Sequence, residues 1–195
     1  MDVFDKAVGD EDILSHLGPL AVLAGRWEGD SGIDVALGRN GPVQTAYREQ
    51  MLFEPVGPVV NGPQLLYGLR YATTAWPSGC DEPFHEEVGY WLWDASAGLV
   101  MRCFIVPRGV AINAGGEASS AAATAFSMQA TLASNTFGIL SNPFLDKAFR
   151  TVCYDLSIEV HDDASFSYHE DTQLQIHGQD VIFHHTDQNR LQRAA

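Results

Sequence analysis

The chain has 195 residues, 46% of them apolar and 18% charged, with a formal net charge of -14. This describes one globular domain with enough chain for a core, not a disordered or fibrous protein. The acidic balance argues against nucleic acid and against docking on membranes, because phosphate backbones and anionic lipid heads are repelled by it.

Residues 1–13 are acidic and weakly patterned and predict a loose N-terminal arm; they contain no apolar core of a signal peptide. No apolar run approaches the ~18 residues of a spanning helix. Leu14, Leu17 and Leu20 recur at helical spacing and predict a short helix or turn. In Gly25-Arg26-Trp27-Glu28-Gly29, a tryptophan between glycines predicts an aromatic plug beneath a curved sheet. Ile33 and Val35 continue that strand to a turn at 38–42, and 45–53 forms the next, stopped by the Pro/Gly cluster at 54–58.

Residues 64–74 are strand-like, with Leu65, Tyr67, Leu69 and Tyr71 on one side. The strand 84–94 is the most aromatic, and neither of its faces is cleanly polar. Its His85-Glu86-Glu87 reads either as an acid or base or as a rim of solvated charge. Arg102 interrupts the apolar strand 100–106, and two readings stand: an ion pair inside, or a side chain facing water. Residues 115–124 are small and polar and predict a mobile loop, and 126–132 alternate as a strand. Ser141-Asn142-Pro143 predicts a capped helix start, and the helix ends near Arg150. Residues 152–160 alternate again.

The last hairpin carries the most chemistry. From Phe166 to Ile176 the residues alternate, and one set is wholly polar, the signature of a half-buried strand. A second strand runs 181–187. With an even turn, Ile176 lies opposite Val181, Thr172 opposite His185 and Glu170 opposite Asp187, so His185 points inward and His184 outward. An odd turn reverses this. The site candidates are therefore His185, His184, Thr172, Glu170 and Phe183, with Val181 and Leu174 as further apolar walls. The competing reading is a satisfied core histidine among barrel-filling polar groups. Cys80, Cys103 and Cys153 show no metal-ligand spacing and read as reduced thiols in a cytoplasmic protein.

Nine or ten short strands separated by turns, with no long helix, predict an all-β fold: an antiparallel up-and-down barrel of about ten strands over 14–191, with short helices and a frayed tail at 192–195. Closure removes exposed edges, and a barrel this wide leaves a cavity.

Four segments then resemble one family. Gly25-Arg26-Trp27-Glu28-Gly29 resembles the start of the Gly-x-Trp-x-Gly-x-Gly motif of the nitrobindins, haem-binding β-barrels of fatty-acid-binding-protein-like (calycin) fold. Phe84-His85-Glu86-Glu87-Val88-Gly89-Tyr90-Trp91 resembles that family's His-x-Glu-x-Gly-aromatic-Trp strand. Val106-Pro107-Arg108-Gly109-Val110 with Ala114-Gly115-Gly116 resembles its Pro-x-Gly hairpin, and the last strand carries histidine. The matches keep their order from about 14 to 191. The chain departs from the pattern at Ser31, where the motif has glycine, and Leu191 falls six residues after His185, one more than in the family.

The resemblance implies haem b on His185 as proximal ligand and handling of nitric oxide or peroxynitrite, including peroxynitrite isomerisation. Two other functions remain open on the residues: a haem-free carrier of a fatty acid or similar apolar ligand, and a lipocalin-like enzyme using Glu170 with His185 as an acid–base pair. Oligomeric state is not legible.

Overall fold

The computed structural model describes residues 2–194; Met1 and Ala195, the ends of the expected arm and tail, lie outside the described residues. Two short 3-10 turns, Leu14–His16 and Gly18–Leu23, precede the sheet. The strands are β1 (Gly25–Gly38), β2 (Gly41–Asn61), β3 (Gln64–Pro77), β4 (His85–Asp94), β5 (Leu99–Val106), β6 (Val110–Glu117), β7 (Ala125–Thr131), the two-residue β8 (Ile139–Leu140), β9 (Phe149–Asp162), β10 (Ser165–Ile176) and β11 (Phe183–Arg193). One helix, α1 (Pro143–Ala148), interrupts them. The sheet order is β5-β4-β3-β2-β1-β11-β10-β9-β7-β6-β8, and pairing of β5 with β6 closes it. All pairings are antiparallel, so the ten main strands form a closed barrel of the expected class, with β8 lying against β6. The β6–β7 seam is thin, a single ladder pair of Gly115 with Gln129.

One end is plugged. Leu17, Leu20 and Leu23 are fully buried. Their spacing of three is the 3-10 period, which stacks side chains on one side, so the leucines form 3-10 turns rather than an α-helix. Trp27 is fully buried above them, donates from Nε1 to the Leu23 carbonyl at 2.7 Å, and meets Phe166 edge-on at 4.9 Å. Gly32, three residues past the motif's last matching glycine, is needed for packing: a Cβ there would stand 2.3 Å from the Tyr47 ring.

Several boundaries differ from the sequence reading. β2 runs through the Pro/Gly cluster to Asn61, because a register shift between Val56 and Val59 absorbs the prolines. Gly115 and Gly116 lie in β6 rather than in a loop; a Cβ on Gly116 would overlap the Ser127 carbonyl, so the glycine lets the two backbones close. The tail is paired rather than frayed, since Arg193 opposes Trp27 and the Ala194 amide donates to Arg26. The arm is exposed but pinned: Ala7 bonds Gly62, and the Asp10 amide and carbonyl both bond the Tyr67 hydroxyl. Asn142 caps α1 as expected, accepting from the Phe144 and Leu145 amides. Among the described residues no helix is long and apolar enough to cross a membrane.

Candidate functional site

The register of the last hairpin is the even one. Thr172 opposes His185, Glu170 opposes Asp187 and Gln173 opposes His184. Since opposed residues share a face, the inward pairs rise from the plug as Phe166–Leu191, Tyr168–Asn189, Glu170–Asp187, Thr172–His185 and Leu174–Phe183. The first pair is buried and apolar; the fourth is half-buried. The lumen thus turns polar on the way to the open end.

His185 is one-third exposed, and its Nε2 donates to Asp34 Oδ1 at 2.6 Å. Asp34 stands on β1, opposite Asp187 on β11. His184 points outward and donates from Nδ1 to Asp171 Oδ2 at 2.7 Å. Glu170 was expected to partner His185. It is instead drawn to Arg102 Nη1 at 2.9 Å and to the Tyr154 hydroxyl at 2.7 Å, because a buried guanidinium attracts a carboxylate more strongly than an imidazole does. The structure therefore does not bring Glu170 and His185 together as an acid–base pair. Phe183 and Leu174 are half-buried beside His185, whereas Val181 lies before β11 and is 77% exposed, so it builds no wall.

Arg102, left open between core and solvent, is 3% exposed at the centre of the lumen. It donates to the hydroxyls of Tyr71 and Tyr154 and to the carboxylates of Glu87 and Glu170. Burial alone would raise Glu87, but the Arg102 charge together with the His85 and Tyr71 contacts outweighs it and holds the carboxyl below the usual range. Burial likewise works against charge on His85, yet its contact with Glu87 leaves the imidazole raised.

A second buried network lies beside the first. Glu49 accepts from Thr73, Tyr168 and Asn189, and burial pushes its carboxyl up. The Tyr47 hydroxyl bonds both Tyr168 and Asp187. Asp187 is pushed up to about 8, first by burial and then by the Glu170 charge. Sequence reading missed Asp34, Tyr47 and Glu49. One signal for Glu49 was present: it shares the alternating, buried side of β2 with Tyr47, Met51 and Phe53.

These groups nearly fill the barrel. The enclosed space, lined by Glu87, Trp91, Arg102, Glu170 and Asp187 among others, amounts to about 30 Å³. Trp91 is 3% exposed and its Nε1–H has no partner among the described residues. A groove of about 960 Å³ lies on the outer wall instead, lined by Leu52, Ala72, Val88, Tyr90 and Ile105, and His185 is not part of it. Among the described residues no three His, Cys, Asp or Glu side chains gather to hold a metal ion.

A ferric porphyrin, which the sequence resemblance implies, does not fit these residues. A pocket for a molecule of that class spans roughly 300–1,000 Å³ and is mainly apolar. Here the lumen is small and charged, and the tip nitrogen of His185 is taken by Asp34.

The structural comparison shows the fold, and the family model shows the family. The crystal structure of Rv2717c from M. tuberculosis superposes with a TM-score of 0.65 at 21% identity, covering 96% of this chain and 100% of that one. No curated protein matches. A family model described as the THAP4-like, heme-binding beta-barrel domain matches residues 16–193. It covers both the plug and the His185 strand, and the role it carries is binding of haem or another ligand in a barrel. The chain belongs to the THAP4-like haem-binding β-barrel domain family, the nitrobindins.

Proposed function

We propose that this domain binds a small, polar ligand rich in hydrogen-bond donors at the open end of the barrel, and that haem b is not that ligand. The observation that carries the reading is an excess of interior carboxylates over guanidinium charge. Asp34, Glu49, Glu87, Glu170 and Asp187 share the interior with one guanidinium, Arg102. Buried carboxylates need positive charge or donors, and Asp187, raised to about 8, has a tyrosine hydroxyl as its bonded partner. An ammonium or amidinium group between Glu170 and Asp187 would supply both. The unpartnered Trp91 Nε1–H offers a donor to the same ligand.

The test is calorimetry and thermal melting with putrescine, ethanolamine and guanidinium, with decanoate as control. We expect the amines to raise the melting temperature of the parent and not of Asp187→Asn. A rise with decanoate alone would favour the apolar carrier, whose ligand would then sit in the outer groove rather than the lumen. No response to any amine would sink the reading.

One observation favours the family's reading, ferric haem on His185 reacting with nitric oxide or peroxynitrite. The imidazole stands at the mouth with a carboxylate on one nitrogen, as metal-ligating histidines usually do. A Soret band that His185→Ala removes and His184→Ala keeps would replace our reading with that one, and peroxynitrite isomerisation would then be the activity to assay. Three thiols outside any disulfide, Cys80, Cys103 and Cys153, support residence in a reducing compartment such as the cytoplasm, and the net charge of -14 supports a partner other than nucleic acid.

A further inference from the structure

We infer that two devices in this chain keep haem out of a barrel whose family holds it: Asp34 latches the histidine, and the Arg102 cluster plugs the slot. The latch is geometric. Of the two ring nitrogens, Nε2 projects farther from the strand, and it is the one a flat macrocycle can reach without meeting the backbone. In this chain Nε2 lies 2.6 Å from Asp34 Oδ1. Asp34 is 6% exposed and stands on β1, the strand paired with the histidine's own, so the contact is held by the ladder rather than by a loop.

The plug is the second device. Arg102 on β5 reaches across to Glu87 on β4, Tyr154 on β9 and Glu170 on β10, tying four walls together through the middle of the lumen. About 30 Å³ remains, and a porphyrin plate has nowhere to slide. The electrostatics agree with the sterics. Haem carries two propionates, and the surface it would cover holds Asp34, Glu170 and Asp187. An apolar plate would strip water from those carboxylates without replacing their partners.

The test titrates the full chain with ferric haemin, followed in the Soret region, and with iron-free protoporphyrin IX, followed by fluorescence. The parent should leave both spectra as those of free porphyrin at equimolar concentration, with its melting temperature unchanged. The fourfold variant Asp34→Ala, Glu87→Leu, Arg102→Leu, Glu170→Leu removes latch and plug together. It should acquire a Soret band at one equivalent, and a further His185→Ala should abolish that band. Protoporphyrin separates the two devices: Asp34→Ala alone should leave it unbound, because the plug is intact. A parent that binds haemin one to one through His185 overturns the inference, and needs no variant to fold. A folded fourfold variant that stays blind to both probes overturns it as well, because some other feature would then exclude the plate.

Discussion

Glu170 and Asp187 face each other directly across the β10–β11 ladder, two carboxylates on one inward face. Glu170 is neutralised by Arg102, and Asp187 is not. Burial first, and then the facing Glu170 charge, push the Asp187 carboxyl up to about 8 in the folded chain, against about 3.9 for an ordinary aspartate. A raised carboxyl stabilises the fold relative to its ionised form at low pH, and that advantage is lost as pH rises through the folded value. We expect the melting temperature to fall between pH 5 and pH 9. Asp187→Asn, which mimics the protonated acid, should flatten that fall and leave the mutant more stable than the parent at pH 9. Equal slopes for the two proteins would contradict the assignment.

The plugged end makes a second expectation. Trp27→Ala removes a fully buried indole and its bond to the Leu23 carbonyl, and should cost about 3–5 kcal/mol. Trp27→Phe keeps most of the packing but leaves the carbonyl without its donor, and should lie between parent and alanine variant. Denaturant unfolding of the three proteins checks the order.

Arg102→Met tests the central cluster. It strands Glu87 and Glu170 as buried acids, and breaking such a pair costs roughly 3–5 kcal/mol. Adding Glu87→Leu and Glu170→Leu should restore part of the loss, because an apolar core of similar volume carries no desolvation penalty. A triple variant less stable than Arg102→Met would show that the cluster contributes more than it costs.

Gly32→Ala places a methyl against Tyr47, whose ring would be 2.3 Å away. Overpacking of this kind costs about 1–3 kcal/mol. Tyr47 would have to move, so its bond to Asp187 should weaken and the pH dependence described above should change in the same variant. Thermal melts across pH read both effects.

The barrel was legible because period-two alternation recurs from strand to strand, whereas the sequence left the hairpin register open between an even and an odd turn, and the even one forms. The contacts that define the site were not. Asp34 and His185 are 151 positions apart and meet because β1 pairs with β11, a closure that no local pattern announces. Arg102 was undecidable for a different reason: both faces of its strand are mostly apolar, so alternation does not say which one is the lumen. The prolines of β2 suggested a stop because a bulge and a turn share the same residues. The family resemblance was read correctly from the plug and β4, but it passes over the residues by which this chain refills the interior.

The seam between β6 and β7 has its own consequence. Every other junction between the main strands is a ladder of several rungs, whereas this one is held by Gly115 and Gln129. Amide protons near it should exchange with solvent well before those of the β1–β2 or β9–β10 ladders, since local opening there breaks so little. The cylinder is therefore closed along this line by contact between backbones, with Gly116 against Ser127, more than by main-chain hydrogen bonding, and it is where the wall yields first.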